Sequence, residues 1–205
     1  MAGFAAKDVQ ELRHATGVGM MDAKTALVET GGDFEKAKEY LREKGLSDAK
    51  KRAGREANEG VIGLYIHKQF ERPVIGVLVE LASETDFVAK SEQFQAMAND
   101  VAMHVAAAQP RWVRREDVPE EALQHERDMI TRQALNEGKP ENIIPRIVEG
   151  RIGSFYKDYV LEEQPFVKTD QFEGTVGDMV SGLAATMGEN ISIRRFARLA
   201  VGEEI

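Results

Sequence analysis

At 205 residues, with 42% hydrophobic and 30% charged side chains, the chain is long enough for one well-cored domain, or one domain with a small satellite, and has the composition of a soluble globular protein. It contains no cysteine, which excludes disulfides, thiolate metal sites and thiol redox chemistry and fits a reducing cytoplasm. The net charge of −8 is unevenly spread: up to Glu59 there are 11 Lys/Arg against 11 Asp/Glu, leaving 16 against 24 for the rest, and so acidic a body argues against direct nucleic-acid binding. The start, MAGFAAKDVQEL, has no cationic stretch followed by an apolar signal region, and no window approaches the roughly 18 apolar residues of a membrane span, so a cytoplasmic protein without a membrane partner is expected.

The N-terminal third is punctuated as three short helices. Val9 and Leu12 stripe the first, which stops at TGVG (16–19); Met20, Met21, Leu27 and Val28 mark the second, ended by Gly31 and Gly32. Asp33 can N-cap a third that carries Phe34, Ala37 and Leu41, with Gly45 as its C-cap. Three helices in so short a stretch bury little surface and suit an appended recognition module, residues 1–55. That span includes the basic run AKKRAGR (49–55), read as a solvated helical connector with an RNA contact as the alternative.

From residue 56 the pattern is that of an α+β core. VIGLYIH and RPVIGVLVEL flank a short turn at 68–72 and read as an antiparallel hairpin. ISIRRFARLAV (191–201) alternates in the same way, so a small three-stranded sheet covered by helices is expected. Phe94, Met97, Val101, His104 and Ala108 recur at helical spacing, which places His104 on an apolar stripe. DVPEEALQHERDMITRQALNEGKP gives a charge-rich helix broken at Gly138 and Pro140; Ile144, Ile147, Val148, Ile152, Phe155 and Tyr159 then fall in register on another, and the two form a helical-hairpin arm over about 117–160. TVGDMVSGLAATMG (175–188) is the last helix.

Catalytic signatures are scarce. The four histidines lie far apart without metal-ligand spacing, no nucleophile elbow or carboxylate pair stands out, and Asp86 lacks a partner for general-base work. GVGMMD lacks the third glycine of a dinucleotide fingerprint, and no G-x-x-x-x-G-K-[ST] loop occurs, so no cofactor is expected and the chain is not read as an enzyme. One stretch stays open. In SETDFVAKSEQF (83–94) a charge and a large ring, Asp86 and Phe87, sit side by side between a strand pattern and a helix pattern. Phe87 lies seven residues before Phe94 and on an unbroken helix would join its core stripe, with Asp86 completing a capping box to Ser83; alternatively Ser91 starts a fresh helix and frees the turn at Phe87 to point elsewhere.

The run ELRHATGVGMMDAKTALVETGGDFEKAKEYLREKG, then TDFVAKSEQF, AMHVAA, GKPENI with VEGR, EQPFV and ENISIRRFARLAVGE resemble, in order and over nearly the whole chain, the successive signatures of the elongation factor Ts family. The resemblance implies a ubiquitin-associated-like three-helix module before the α+β core. It also implies a guanine-nucleotide exchange factor that recycles the GTPase elongation factor Tu, with GDP and magnesium belonging to the partner. Thr85, Asp86, Phe87 and Val88 then match the stretch set against the GTPase domain to disturb its magnesium site, with Phe87 as the wedge. Lys24 matches a lysine presented to the same domain, His104 a contact residue, and Val167 a contact to the partner's other domains, although Lys168 stands where some members are apolar. The core unit occurs once, as in the short forms, which implies a homodimer. The competing reading is an adaptor that uses its three-helix module to hold a ubiquitin-like fold or a nascent chain.

Overall fold

The computed structural model describes residues 3–203. Three helices open the chain: α1 (Ala6–Thr16), α2 (Met20–Glu29) and α3 (Phe34–Arg52). Gly17 closes α1 in the left-handed region at φ 72°, its N–H donating to the Arg13 carbonyl, a conformation that favours glycine. The Asp33 carboxylate caps α3 by accepting from the Lys36 N–H at 3.1 Å. Val9, Leu12, Ala23, Ala26, Leu27, Ala37 and Leu41 form the bundle's own buried cluster.

Two expectations fail in this region, each for a packing reason. Met20, Met21 and Val28 do not face the core; the alanines of α2 do, with Leu27, which lets three short helices approach closely and leaves the longer apolar side chains outside. Gly45 does not end α3, which continues to Arg52. It is a close-approach glycine: a Cβ there would stand 2.9 Å from the Cβ of Ala185.

The sheet is three-stranded and antiparallel, in the order β1 (Glu59–Gln69), β2 (Arg72–Ser83), β3 (Ser192–Ala200). Phe70 and Glu71 make the β1–β2 turn with both φ angles positive, 47° and 64°. Between β2 and β3 come the single-turn α4 (Asp86–Ala89) and α5 (Glu92–Ala108), then α6 (Glu120–Asn136), α7 (Ile144–Tyr159) and α8 (Val176–Met187). Gly63 of β1 meets α5 so closely that a Cβ would lie 2.2 Å from the Ala98 carbonyl oxygen. Helices α6 and α7 pair through Leu123, Ile130, Ala134, Ile144, Val148, Ile152 and Phe155, the expected helical hairpin. Gly138, at φ 70°, ends α6.

The chain divides into two compact units. One holds the chain up to Gly60 with Ala82–Phe94 and Val180–Ser192; the other holds Val61–Leu81, Gln95–Met179 and the chain from Ile193. The three-helix bundle therefore belongs to one unit with the SETDF stretch and the C-terminal part of α8. Among the described residues no helix is long and apolar enough to cross a membrane, and no group of three or more metal-ligating side chains converges.

Candidate functional site

The stretch 83–94 folds as two helices with a break. Thr85 caps α4, its hydroxyl oxygen accepting from the Val88 N–H. After one turn the chain stops: the Ser91 hydroxyl donates to the Val88 carbonyl at 2.8 Å and accepts from the Phe94 N–H at 3.3 Å, which starts α5 afresh. The break changes direction, so Phe87 and Phe94 do not share a stripe: Phe94 is fully buried and Phe87 is 83% exposed. Ala89, not Phe87, fixes α4 to the core.

The capping box between Ser83 and Asp86 does not form. Ser83 is buried and its hydroxyl donates to the Thr85 carbonyl at 3.0 Å, while Asp86 reaches forward along the helix to Lys90, Oδ2 to Nζ 2.5 Å. That ammonium, one turn on, holds the Asp86 carboxyl below its ordinary range. Val88 is half-buried, so what the turn offers outward is the Phe87 ring flanked by the Asp86–Lys90 pair.

Sequence reasoning missed what braces this turn. The Glu189 carboxylate accepts from the backbone N–H groups of Glu84 and Thr85 at 3.1 and 3.0 Å and from the Thr85 hydroxyl at 2.5 Å. In return Glu84 Oε1 accepts from the Asn190 N–H at 2.6 Å. The pairs are about a hundred residues apart in sequence, and no periodicity reports such a contact. Asn190 is itself buried, and its side-chain amide donates to the Arg55 carbonyl at 2.7 Å.

Lys24 lies exposed on α2. Met20, Met21 and Val28, also exposed, fall with it on one helical face, so the lysine stands in an apolar stripe. His104 does not offer a surface: it is fully buried, and both ring nitrogens are engaged. Nδ1 accepts from the Val167 N–H at 3.3 Å, which fixes the tautomer, so Nε2–H donates to Gln164 Oε1 at 2.9 Å. The ring stacks on buried Phe166, and burial pushes its pKa down, with the Gln164 bond partly opposing. Gln164 in turn donates to the carbonyls of Asp158 and Ala108. This network holds the EQPFV loop so that Phe166 points in and Val167, 41% exposed, points out. Lys168, the departure noted in the sequence, is drawn back by an ion pair to Asp100 at 2.9 Å and leaves Val167 uncovered.

What the structure leaves in solvent is an aromatic ring on a braced turn, a lysine in an apolar stripe and a valine on a pinned loop, and exposed apolar side chains held on rigid supports are the kind of surface a protein-binding factor carries. The family model described as elongation factor TS matches residues 33–173. The chain is 54% identical over 195 residues to elongation factor Ts of Carboxydothermus hydrogenoformans, covering 95% of this chain and 88% of that one. It is 52% identical over 203 residues to that of Desulforamulus reducens, covering 99% and 91%, and 52% identical over 202 residues to that of Caldanaerobacter subterraneus, covering 98% of each. The chain belongs to the elongation factor Ts family of translation factors.

Proposed function

We propose that this chain, a translation elongation factor and guanine-nucleotide exchange factor by family, drives GDP release from elongation factor Tu through the ring of Phe87. The observation that carries this reading is the exposure of that ring on a turn anchored by Thr85, Ala89 and Glu189. An aromatic pushed between packed helices moves them in steps, because close-packed interiors do not deform continuously. Magnesium requires near-ideal octahedral geometry at short distances, so a small shift in the partner weakens the ion and GDP follows it. Linkage sets the rest of the cycle: the factor and GDP weaken each other's binding by the same ratio, and GTP rebinding expels the factor. Thr85 and Val88 shape the turn, and Asp86 supplies a polar contact beside the ring.

The other family positions take graded roles. Residues 1–55, a bundle of the size and helix order of a ubiquitin-associated-like module, anchor the partner through Lys24 and the apolar stripe around it. Residues 56–205 carry the exchange work. Val167 makes a second contact, and His104 serves it from below by holding the loop. Membership of the family displaces the adaptor reading.

The chain further acts as a homodimer. Gly63 turns one face of β1 toward α5, so Ile62, Leu64 and Ile66 lie on the other face. With Leu78 of β2, Leu199 of β3 and the adjoining Val201, all exposed, they make an apolar sheet surface that a second copy covers. The test of the whole reading is release of a fluorescent GDP from elongation factor Tu with and without this chain. Strong acceleration supports it, and an unchanged rate overturns it.

A further inference from the structure

We propose that Glu189 is a positioning residue for exchange: its carboxylate locks the turn that carries Phe87, so the ring arrives at the partner already oriented. The proposal rests on the wedge reading of Phe87 and adds a residue far from it in sequence.

The geometry is that of a clamp on a helix start. The Thr85 hydroxyl donates its proton to Glu189 Oε1 at 2.5 Å and keeps a lone pair for the Val88 N–H, so the cap of α4 and the clamp form one directed chain of hydrogen bonds. Glu189 Oε2 takes the Glu84 and Thr85 N–H groups, which the single turn of α4 cannot satisfy for itself. The second carboxylate faces the opposite way: Glu84 Oε1 accepts from the Asn190 N–H and lies 3.5 Å from Arg55 Nη1. Two segments more than a hundred residues apart thus exchange backbone and side-chain bonds in both directions. Such a lock leaves α4 little freedom even though it is only four residues long.

Rigidity matters here because a wedge works only if pushing it moves the partner and not the wedge. A turn free to rock would dissipate the displacement and would have to be ordered on binding, which weakens the bound state in which exchange occurs. Glu189 does not touch the partner in this proposal. It acts through Thr85 on Phe87.

The experiment measures stimulated GDP release at saturating factor for the wild type, Phe87→Ala, Glu189→Ala, the double variant and Glu189→Gln, with a melting curve for each. Glu189→Ala is expected to slow release roughly tenfold, the scale of losing a charge-assisted hydrogen bond, while staying folded at the assay temperature. On the Phe87→Ala background the same change is expected to add nothing, because the residue it positions is gone. Glu189→Gln is expected to recover most of the rate, since the amide oxygen can accept the two backbone N–H groups and its NH₂ can meet the Thr85 oxygen. Should Glu189→Ala fail to fold, Glu189→Asp, which keeps the charge but retracts it by one methylene, is expected to fold and exchange slowly. Normal exchange by folded Glu189→Ala or Glu189→Asp, or a loss that multiplies with that of Phe87→Ala, overturns the proposal. Normal exchange by Phe87→Ala overturns the wedge reading instead.

Discussion

Phe87 and Phe94 stand seven residues apart, the spacing that stacks two side chains on one face of a helix, and yet one ring is 83% exposed and the other has no solvent contact. The break at Lys90–Ser91 separates them, leaving one ring in solvent and the other in the core. Truncating the two rings therefore has opposite consequences. Phe87→Ala removes an exposed ring, so stability should change by no more than about 0.5 kcal/mol. Stimulated GDP release should fall tenfold or more if the ring is an interface anchor worth about 2 to 4 kcal/mol. The two measurements are made on one preparation, and a collapsed melting temperature with normal exchange would sink the assignment.

Phe94→Ala is the mirror experiment. A buried ring leaves a cavity, at a cost of about 3 to 5 kcal/mol, which for a chain of this size lowers the melting temperature by roughly 10 °C. Exchange per folded molecule should survive. If this variant melts normally, the helix register around Ser91 is wrong.

How much of this was legible beforehand depends on the range of the interaction. The Asp33 cap, the Gly17 stop, the hairpin at 68–72 and the α6–α7 pair all follow from contacts within a few residues or from a single periodicity, and sequence displays both. The failures are long-range. Gly45 looks like a C-cap until Ala185 is seen against it, and the methionines of α2 look like core until the alanines prove small enough to let the helices close. The helical spacing puts His104 on its stripe, but its pairing with Gln164 and the Val167 N–H joins segments about sixty residues apart. At the site itself, Ser91 was readable as a fresh start because its hydroxyl acts locally, whereas Glu189 was invisible for the same reason that Gln164 was.

Gly63 tests a close approach that no local rule foresees. Alanine there would place a Cβ 2.2 Å from the Ala98 carbonyl oxygen, and since that atom is backbone the strand and α5 must separate. Gly63→Ala should cost roughly 1 to 3 kcal/mol, as overpacking does, despite the better strand propensity of alanine. Chemical denaturation checks it; unchanged stability would mean that β1 and α5 are not in contact as described.

The dimer proposal predicts a single-residue switch. Leu199 is 69% exposed at the apolar sheet surface, so Leu199→Glu should leave the monomer folded and place a charge where a second copy would desolvate it. Sedimentation of the wild type at micromolar concentration should give twice 22.8 kDa, and the variant 22.8 kDa. A wild type that sediments only as the smaller particle removes the dimer from the account.

The last prediction concerns acid. His104 is neutral in the fold because burial disfavours its charged form and because Nδ1 must stay unprotonated to accept the Val167 N–H. Its folded pKa is lowered from 6.5, so below that pH the unfolded chain binds a proton that the folded chain resists, and folding loses stability as pH falls. Above 6.5 both states are neutral at this residue and it contributes no slope. The melting temperature should therefore hold steady from pH 8 to 7 and decline below 6.5, with other groups adding their own slopes at lower pH. In His104→Gln, which has no proton to gain, the part of the decline between 6.5 and the folded pKa should disappear. The proposed Val167 contact gives a second readout: wild-type affinity for the partner should hold through that window and weaken only as pH falls through the folded pKa at its lower end, where protonating Nδ1 ejects the N–H that orients the loop, while the variant's affinity should be lower at neutral pH and flat through that step. If wild type and variant show parallel pH profiles in both melting and binding, His104 is not the group that holds the loop.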